Sequence, residues 1–131
     1  MFGLAREQGS RHWVAVFCGQ DNPTQPVAVD EVWDGLAVRR VRVAPGGDAP
    51  LWQRARGRFQ NRNSEQAFEQ FQLAFRPEVV HVHHLFKLSG GLIGVAQGHG
   101  IPVVVTLHDY WFVCDNAQLF YRGQVPCSGP R

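Results

Sequence analysis

The chain has 131 residues, 13 of them basic and 11 acidic, with a formal charge of +2 and a hydrophobic content of 44%. This length suggests at most one domain, and the apolar content argues against wholesale disorder. The net charge is too small to imply a polyanionic partner.

The cysteines and the apolar segments bear on the compartment. Cys18, Cys114 and Cys127 are odd in number and widely spaced, which is unlike a secreted disulfide framework and favours reduced thiols. No stretch approaches the roughly 18 apolar residues that a membrane span needs, and the first residues lack a signal-peptide core. We therefore predict a cytoplasmic location and leave open a peripheral contact with the inner membrane surface.

The first part of the chain predicts one short helix and three strands. The helix covers Leu4 to Gln8 and ends at Gly9, because a glycine commonly follows a helix C-terminus. Compact or β-branched apolar runs predict the strands, which are His12 to Cys18, Val27 to Val32 and Leu36 to Val43. Between the last two, Asp34-Gly35 suits a tight hairpin turn because both positions tolerate positive φ.

A basic region follows the hairpin. Seven of the 13 basic residues fall between Arg39 and Arg62, where Asp48 is the only acid. A solvated arginine-rich loop is the simpler interpretation. A patch for nucleic acid or anionic lipid is the alternative.

The second part of the chain predicts a helix and then a strand–helix–strand unit. Apolar residues recur at helical spacing from Ser64 to Phe75, with Asn63 as a candidate cap, and Pro77 ends the helix. The unit comprises Val79 to His84, Leu88 to Gln97 and Pro102 to Leu107. Its two strands should be parallel, and continuous apolar strands predict a sheet that is covered on both faces.

Polar side chains stand where these two strands end. The first cluster is His81-Val82-His83-His84, and the second is His108-Asp109. Ligands of open α/β sheets bind beyond the carboxyl ends of the strands, so His83 or His84 should lie near His108 if the strands are neighbours. Two chemistries fit such a cluster. Three or four of His81, His83, His108 and Asp109 would be needed to hold zinc, whereas one histidine suffices to orient or deprotonate a hydroxyl.

Three smaller features surround this cluster. Tyr110 to Cys114 and Phe120-Tyr121 form an aromatic loop that would line a sugar pocket or pack over the sheet. Cys114 and Cys127 amount to half of a structural zinc site. The glycine-rich segment Ser89 to Gly94 lacks a phosphate-binding signature, so we interpret it as close helix packing.

The last 56 residues resemble the family 4 glycosyltransferases. The resemblance is carried by Arg76-Pro77-Glu78-Val79-Val80-His81-Val82-His83-His84 and by Gly100-Ile101-Pro102-Val103-Val104-Val105-Thr106-Leu107-His108-Asp109-Tyr110-Trp111. Cys114 and Cys127-Ser128-Gly129-Pro130 add to it, and the earlier residues match more loosely.

The resemblance implies the GT-B fold, in which two Rossmann-like α/β domains with mainly parallel sheets face a cleft. It implies sugar transfer with retention from a nucleotide-sugar donor to a sugar, polysaccharide or lipid-linked acceptor, without a metal, another cofactor or nucleic acid. His108 corresponds to the family's active-site histidine. His83, His84, Asp109, Tyr110 and Trp111 match positions near the acceptor cleft.

The departures from the family predict an incomplete enzyme. The family's first strand, its Gly-Gly loop and its donor-binding second domain have no counterpart in residues 1–131. We therefore expect a partial N-terminal acceptor domain that is inactive alone. The alternatives from other classes are a metal-dependent hydrolase using the His-x-His cluster and a non-catalytic nucleic-acid binder using the Arg39–Arg62 region.

Overall fold

A computed structural model describes residues 2–20, 27–43, 60–86, 88–110, 112–114, 119–121 and 125–126. In this part of the chain, three helices and seven strands follow one another. The helices are α1 (Phe2–Gly9), α2 (Arg62–Phe75) and α3 (Gly91–Gly98). The strands are β1 (Ala15–Gln20), β2 (Ala28–Trp33), β3 (Leu36–Arg42), β4 (Val80–Val82), β5 (Val103–Val105), β6 (Phe120–Tyr121) and β7 (Val125–Pro126).

The described strands form three small sheets instead of one. The strand orders are β1-β3-β2, β4-β5 and β6-β7. Two pairs are parallel, β1 with β3 and β4 with β5. The other two pairs are antiparallel, β2 with β3 and β6 with β7. The expectation of a mainly parallel sheet is therefore wrong, and the fold is mixed α/β. A two-residue turn can join only antiparallel neighbours, so the β2–β3 hairpin imposes the mixed pairing.

The hairpin turn itself was predicted correctly. Asp34 and Gly35 have φ of 50° and 80°, which are the two positive values that a type I′ turn requires. The hairpin places Trp33 opposite Leu36. This register sends Leu36 and Val38 to one face of β3 and Val41 to the other.

Two hydrophobic cores result from this alternation. The larger core lies between the helices α2 and α3 and strands β3 and β4, and it contains Val41, Ala67, Phe68, Val82, Leu85, Leu88, Leu92 and Ala96. The smaller one lies on the opposite face of β3 and contains Ala5, Val16, Leu36 and Val38. Helix α1 covers this second face through Ala5.

Helix α2 begins two residues earlier than the sequence suggested. Asn61, not Asn63, is the N-cap, and its side chain accepts a hydrogen bond from the backbone N–H of Ser64. The helix ends at Phe75, and its C-cap Arg76 has a left-handed φ of 53° and donates its N–H to the carbonyl of Gln72. Pro77 follows directly, as predicted.

The start of α3 packs closely against the start of α2. The hydroxyl of Ser89, which is fully buried, donates to Glu65 Oε1 at 2.6 Å and accepts from the N–H of Gly91 at 3.0 Å. A Cβ at Gly91 would collide with the Glu65 carboxylate. The glycine-rich segment therefore allows close helix packing, as the sequence indicated.

The prediction that the sheet is covered on both faces is wrong for β5. Val104 and Val105 are 51% and 40% exposed, and Leu107 beyond the strand is 62% exposed. The helices of the larger core cover only one face of the β4–β5 pair.

Candidate active site

The candidate site lies where β4 and β5 end. The two strands are parallel neighbours, with Val82 opposite Val105. The N–H of Thr106 donates to the carbonyl of Val82 at 2.9 Å and carries the pairing past the end of β5. The polar segments that follow both strands are thereby brought together, as the sequence predicted.

Three side-chain pairs connect the two segments, and each joins residues 25 positions apart. They are His81 Nε2 with Thr106 Oγ1 at 2.7 Å, His83 Nδ1 with His108 Nε2 at 2.9 Å, and His84 Nε2 with Asp109 Oδ2 at 2.9 Å. The register of β4 and β5 places residues 23 positions apart opposite each other, so each of these side-chain pairs is a diagonal contact that reaches two residues further along the second segment.

The His83–His108 pair is the centre of the cluster. The two rings stack with centroids 5.2 Å apart and planes inclined by 25°, and the ring of His81 lies 4.1 Å from that of His83. Their hydrogen bond uses one nitrogen of each ring, so His83 Nε2 and His108 Nδ1 remain for other partners. His108 is exposed at this edge of the sheet.

The protonation of His83 follows from its surroundings. Partial burial lowers the pKa of His83 below its usual value, and the neighbouring imidazoles of His81 and His108 lower it further, because each would repel a second positive charge. His83 is therefore neutral at neutral pH.

His84 is held in one tautomer by a different set of contacts. Its Nδ1 accepts the backbone N–H of Phe86 at 3.0 Å, so the ring proton resides on Nε2 and is donated to Asp109. The His84 and Asp109 side chains are each about one-third exposed, at 34% and 33%. His84 thus fixes the orientation of the Asp109 carboxylate on the segment after β5.

The remaining predicted site residues are placed less completely. Tyr110 is 53% exposed, and its carbonyl accepts the N–H groups of Val113 and Cys114 in a turn. Trp111 and Cys127 lie outside the described residues, so the aromatic loop and the Cys114–Cys127 site stay predictions. Cys114 is half-buried in this turn.

The metal-site alternative gains no support here. Among the described residues, no three His, Cys, Asp or Glu side chains are grouped so that they could hold a metal ion. The rings of His83 and His108 are hydrogen-bonded directly to each other.

Two arginines of the basic region pair with acidic residues that precede this region in the chain. Arg39 Nε lies 2.6 Å from Asp30 Oδ1, and Arg40 Nε lies 2.6 Å from Glu31 Oε1, both across the hairpin. Arg39 also covers the ring of Phe71. Residues 44–59 lie outside the described part of the chain. The arginines of β3 are described, and their contacts give no support to a nucleic-acid surface.

Thr106 is the site residue that the sequence reasoning missed. It was assigned to the interior of a strand, whereas β5 ends at Val105 and the Thr106 hydroxyl pairs with His81. The 25-residue spacing between the two polar segments would have revealed it, since the pairs His83–His108 and His84–Asp109 share the same separation.

Comparison with known proteins gives one match. The family described as the glycosyl transferase 4-like domain matches residues 2–128. No curated protein and no solved structure matches the chain significantly. Within the described residues, no helix is long and apolar enough to cross a bilayer.

Proposed function

Because the chain belongs to the family of glycosyl transferase 4-like domains, we propose that it is the acceptor-binding part of an enzyme that transfers a sugar from a nucleotide-sugar donor with retention. The observation that carries this proposal is the His83–His108 pair at the carboxyl edge of β4 and β5. This edge is where open α/β sheets bind their ligands.

His108 is the residue that would contact the reacting sugar. Its Nε2 is engaged with His83, which leaves Nδ1 to exchange a hydrogen bond with a sugar hydroxyl. The stacked His83 ring restrains His108, so its orientation is set before the ligand arrives. A contact of this kind, fixed in advance, is most useful where charge develops as the donor's phosphate departs.

His84, Asp109 and Tyr110 would form the acceptor side of the same site. The His84–Asp109 hydrogen bond holds the segment that leads into the exposed Tyr110. A carboxylate and aromatic side chains are suited to sugars, which present hydroxyl groups and apolar ring faces. Trp111, the next residue, would extend this surface.

The donor's phosphates require another part of the enzyme. None of the six side chains that pair across this edge is a lysine or an arginine. Arg39 and Arg40 are engaged with the acids of β2. We therefore assign phosphate binding to a second domain, and residues 1–131 alone should not turn over a nucleotide sugar.

Ring NMR of the histidines tests this function in the purified chain. Methyl glucoside, galactoside and mannoside serve as acceptor probes, and UDP-glucose and GDP-mannose serve as donor probes. We expect at least one glycoside to shift the ring signals of His83 and His108 at millimolar concentration. The nucleotide sugars should leave both signals unchanged.

His99 provides the matched control, because it is also on the surface but pairs with Glu69 between α2 and α3. Its signals should not respond to any probe, and His99→Asn should preserve the glycoside response that His108→Asn abolishes. Micromolar binding of a nucleotide sugar to this chain would place the donor site here and contradict the proposal.

A further inference from the structure

The face of the β4–β5 pair that points away from the larger core carries a column of histidine rings. His81 lies opposite the exposed Val104, and His83, two residues later, shares its face. The His83 ring contacts two others, with centroids 4.1 Å from that of His81 and 5.2 Å from that of His108. The His81 ring is itself held by Thr106 Oγ1, which lies 2.7 Å from its Nε2. The column therefore keeps the ring of His83 in place against His108.

The hydrogen bond within this column joins two groups of the same kind. His83 Nδ1 and His108 Nε2 lie 2.9 Å apart, and an imidazole nitrogen donates when it carries a proton and accepts when it does not. A carboxylate in place of His83 would only accept, and it would hold His108 in one tautomer. Because His83 is an imidazole, the direction of this hydrogen bond is reversible.

The ring protons of His83 and His108 are therefore coupled. When the pair has no net charge, each ring carries one proton, and one of the two occupies the hydrogen bond. If His83 Nδ1 donates, the proton of His108 is on Nδ1 and His83 Nε2 is bare. If His108 Nε2 donates, the proton of His83 is on Nε2 and His108 Nδ1 is bare. In both cases the two rings have the same tautomer, and the pair offers one donor and one acceptor to its surroundings.

The surroundings of His83 favour its uncharged form. Partial burial lowers the pKa of His83, and the imidazoles of His81 and His108 lower it further. A second proton on His83 is therefore unfavourable at neutral pH. A proton that arrives at its Nδ1 displaces the one on its Nε2.

We propose that His83 and His108 act together as a proton relay during sugar transfer, an inference that rests on the proposed function. The acceptor hydroxyl gives its proton to His108 Nδ1 while its oxygen bonds to the anomeric carbon, and the donor's phosphate departs with the electron pair of the broken bond. The proton on His108 Nε2 passes to His83 Nδ1, and the proton on His83 Nε2 passes to water. Each ring gains one proton and loses one, so the attacking oxygen is deprotonated without charging either ring. Exchange with water then restores the starting tautomers.

Ring-nitrogen NMR of the purified chain tests the coupling without any ligand. Long-range ¹H–¹⁵N spectra show which nitrogen of each ring carries the proton. We expect His83 and His108 to have the same tautomer or to exchange together between the two. His83→Phe, which keeps a flat ring, should shift the tautomers of His108 towards those of the exposed His12. Different tautomers in the two rings, or two protons on His108 at neutral pH, would overturn the relay.

Two substitutions of His83 separate a relay from mere orientation in the enzyme that carries this domain. The amide of His83→Asn lies near the position of Nδ1, so it keeps a hydrogen bond to His108 but does not pass a proton on. Turnover should fall about 10²-fold in both His83→Asn and His83→Phe, and the KM for the acceptor should hardly change in His83→Asn. His99→Asn, whose histidine pairs with Glu69 outside the column, should keep full turnover.

The outcomes distinguish the relay from the proposed function. Near-normal turnover of His83→Asn in an active enzyme would reduce His83 to an orienting residue and overturn the relay alone. Absence of sugar transfer by the wild-type enzyme would contradict the proposed function, and the relay with it.

Discussion

Replacing Gln72 by leucine should stabilise the chain. The side chain is almost fully buried, and both of its polar atoms lack a partner. Burying an unpaired amide costs about 1–3 kcal/mol on the scale of mutational data. Leucine has a similar helix propensity and fills the space with apolar groups. The free energy of unfolding of Gln72→Leu should therefore rise by about 1–3 kcal/mol.

Urea unfolding followed by circular dichroism measures this change, with Gln70→Leu as the control. Gln70 lies on the same helix and is exposed, so its replacement should stay within about 0.5 kcal/mol of the wild type. A loss of more than about 1 kcal/mol in Gln72→Leu would show that the amide is paired in solution. The reasoning about an unused donor and acceptor would then fail.

Further predictions concern the helix contact and the histidine cluster. Gly91→Ala should lower the unfolding free energy by about 1–2 kcal/mol, because the new methyl group displaces the Glu65 carboxylate from its hydrogen bonds and the gain in helix propensity only partly offsets this. Gly94→Ala, with no atom near the new methyl group, should instead stabilise by about 0.5–1 kcal/mol, and equal effects in urea unfolding would refute the contact. NMR titration should find the pKa of His83 below about 6.5, rising in His108→Ala as one repelling ring is removed. Because the pKa of His83 is lower in the folded chain than in the unfolded chain, the unfolded chain binds more protons as the pH drops through about 6.5. The contribution of His83 to the free energy of unfolding should therefore decrease as the pH drops through this value. A pKa of His83 above about 6.5 would contradict the burial argument.

Local sequence patterns predicted the elements whose geometry is set locally. Asp34-Gly35 specifies a two-residue turn, and the structure has both positive φ values. The strand–helix–strand unit requires parallel neighbours, and this was enough to predict that His83 or His84 lies near His108; in the structure it is His83 that pairs with His108. These predictions depend on backbone geometry alone.

The predictions that failed depend on partners far away in the chain. Asn61 and Asn63 both look like helix caps, but only the N–H of Asn61 also reaches Ser89 Oγ, 28 positions further on, at 3.2 Å. The apolar run of β5 suggested burial on both faces, although Val104 is 51% exposed. Burial depends on what packs against a strand, and a strand's own sequence does not contain that information.

The pairing within the site could be predicted only in part. The positions of His84 and Asp109 after two neighbouring strands were evident from the sequence, but the tautomer of His84 was not. It is determined by the backbone N–H of Phe86, which no side-chain pattern reveals. The hairpin turn predicts that β2 and β3 are neighbours, but it does not specify the side-chain contacts, so the ion pairs of Arg39 and Arg40 with the acids of β2 were not predicted.

The effect of His108→Ala on sugar transfer tests the central claim most directly. The measurement is steady-state transfer of labelled sugar from a nucleotide-sugar donor by the enzyme that carries this domain, together with thermal melts and His99→Ala as the control. Losing one preorganised transition-state contact should lower turnover by about 10²–10³. The melting temperature should hardly change because His108 is exposed, and His99→Ala should retain full turnover. Near-normal turnover of His108→Ala would contradict the assignment of this edge as the active site.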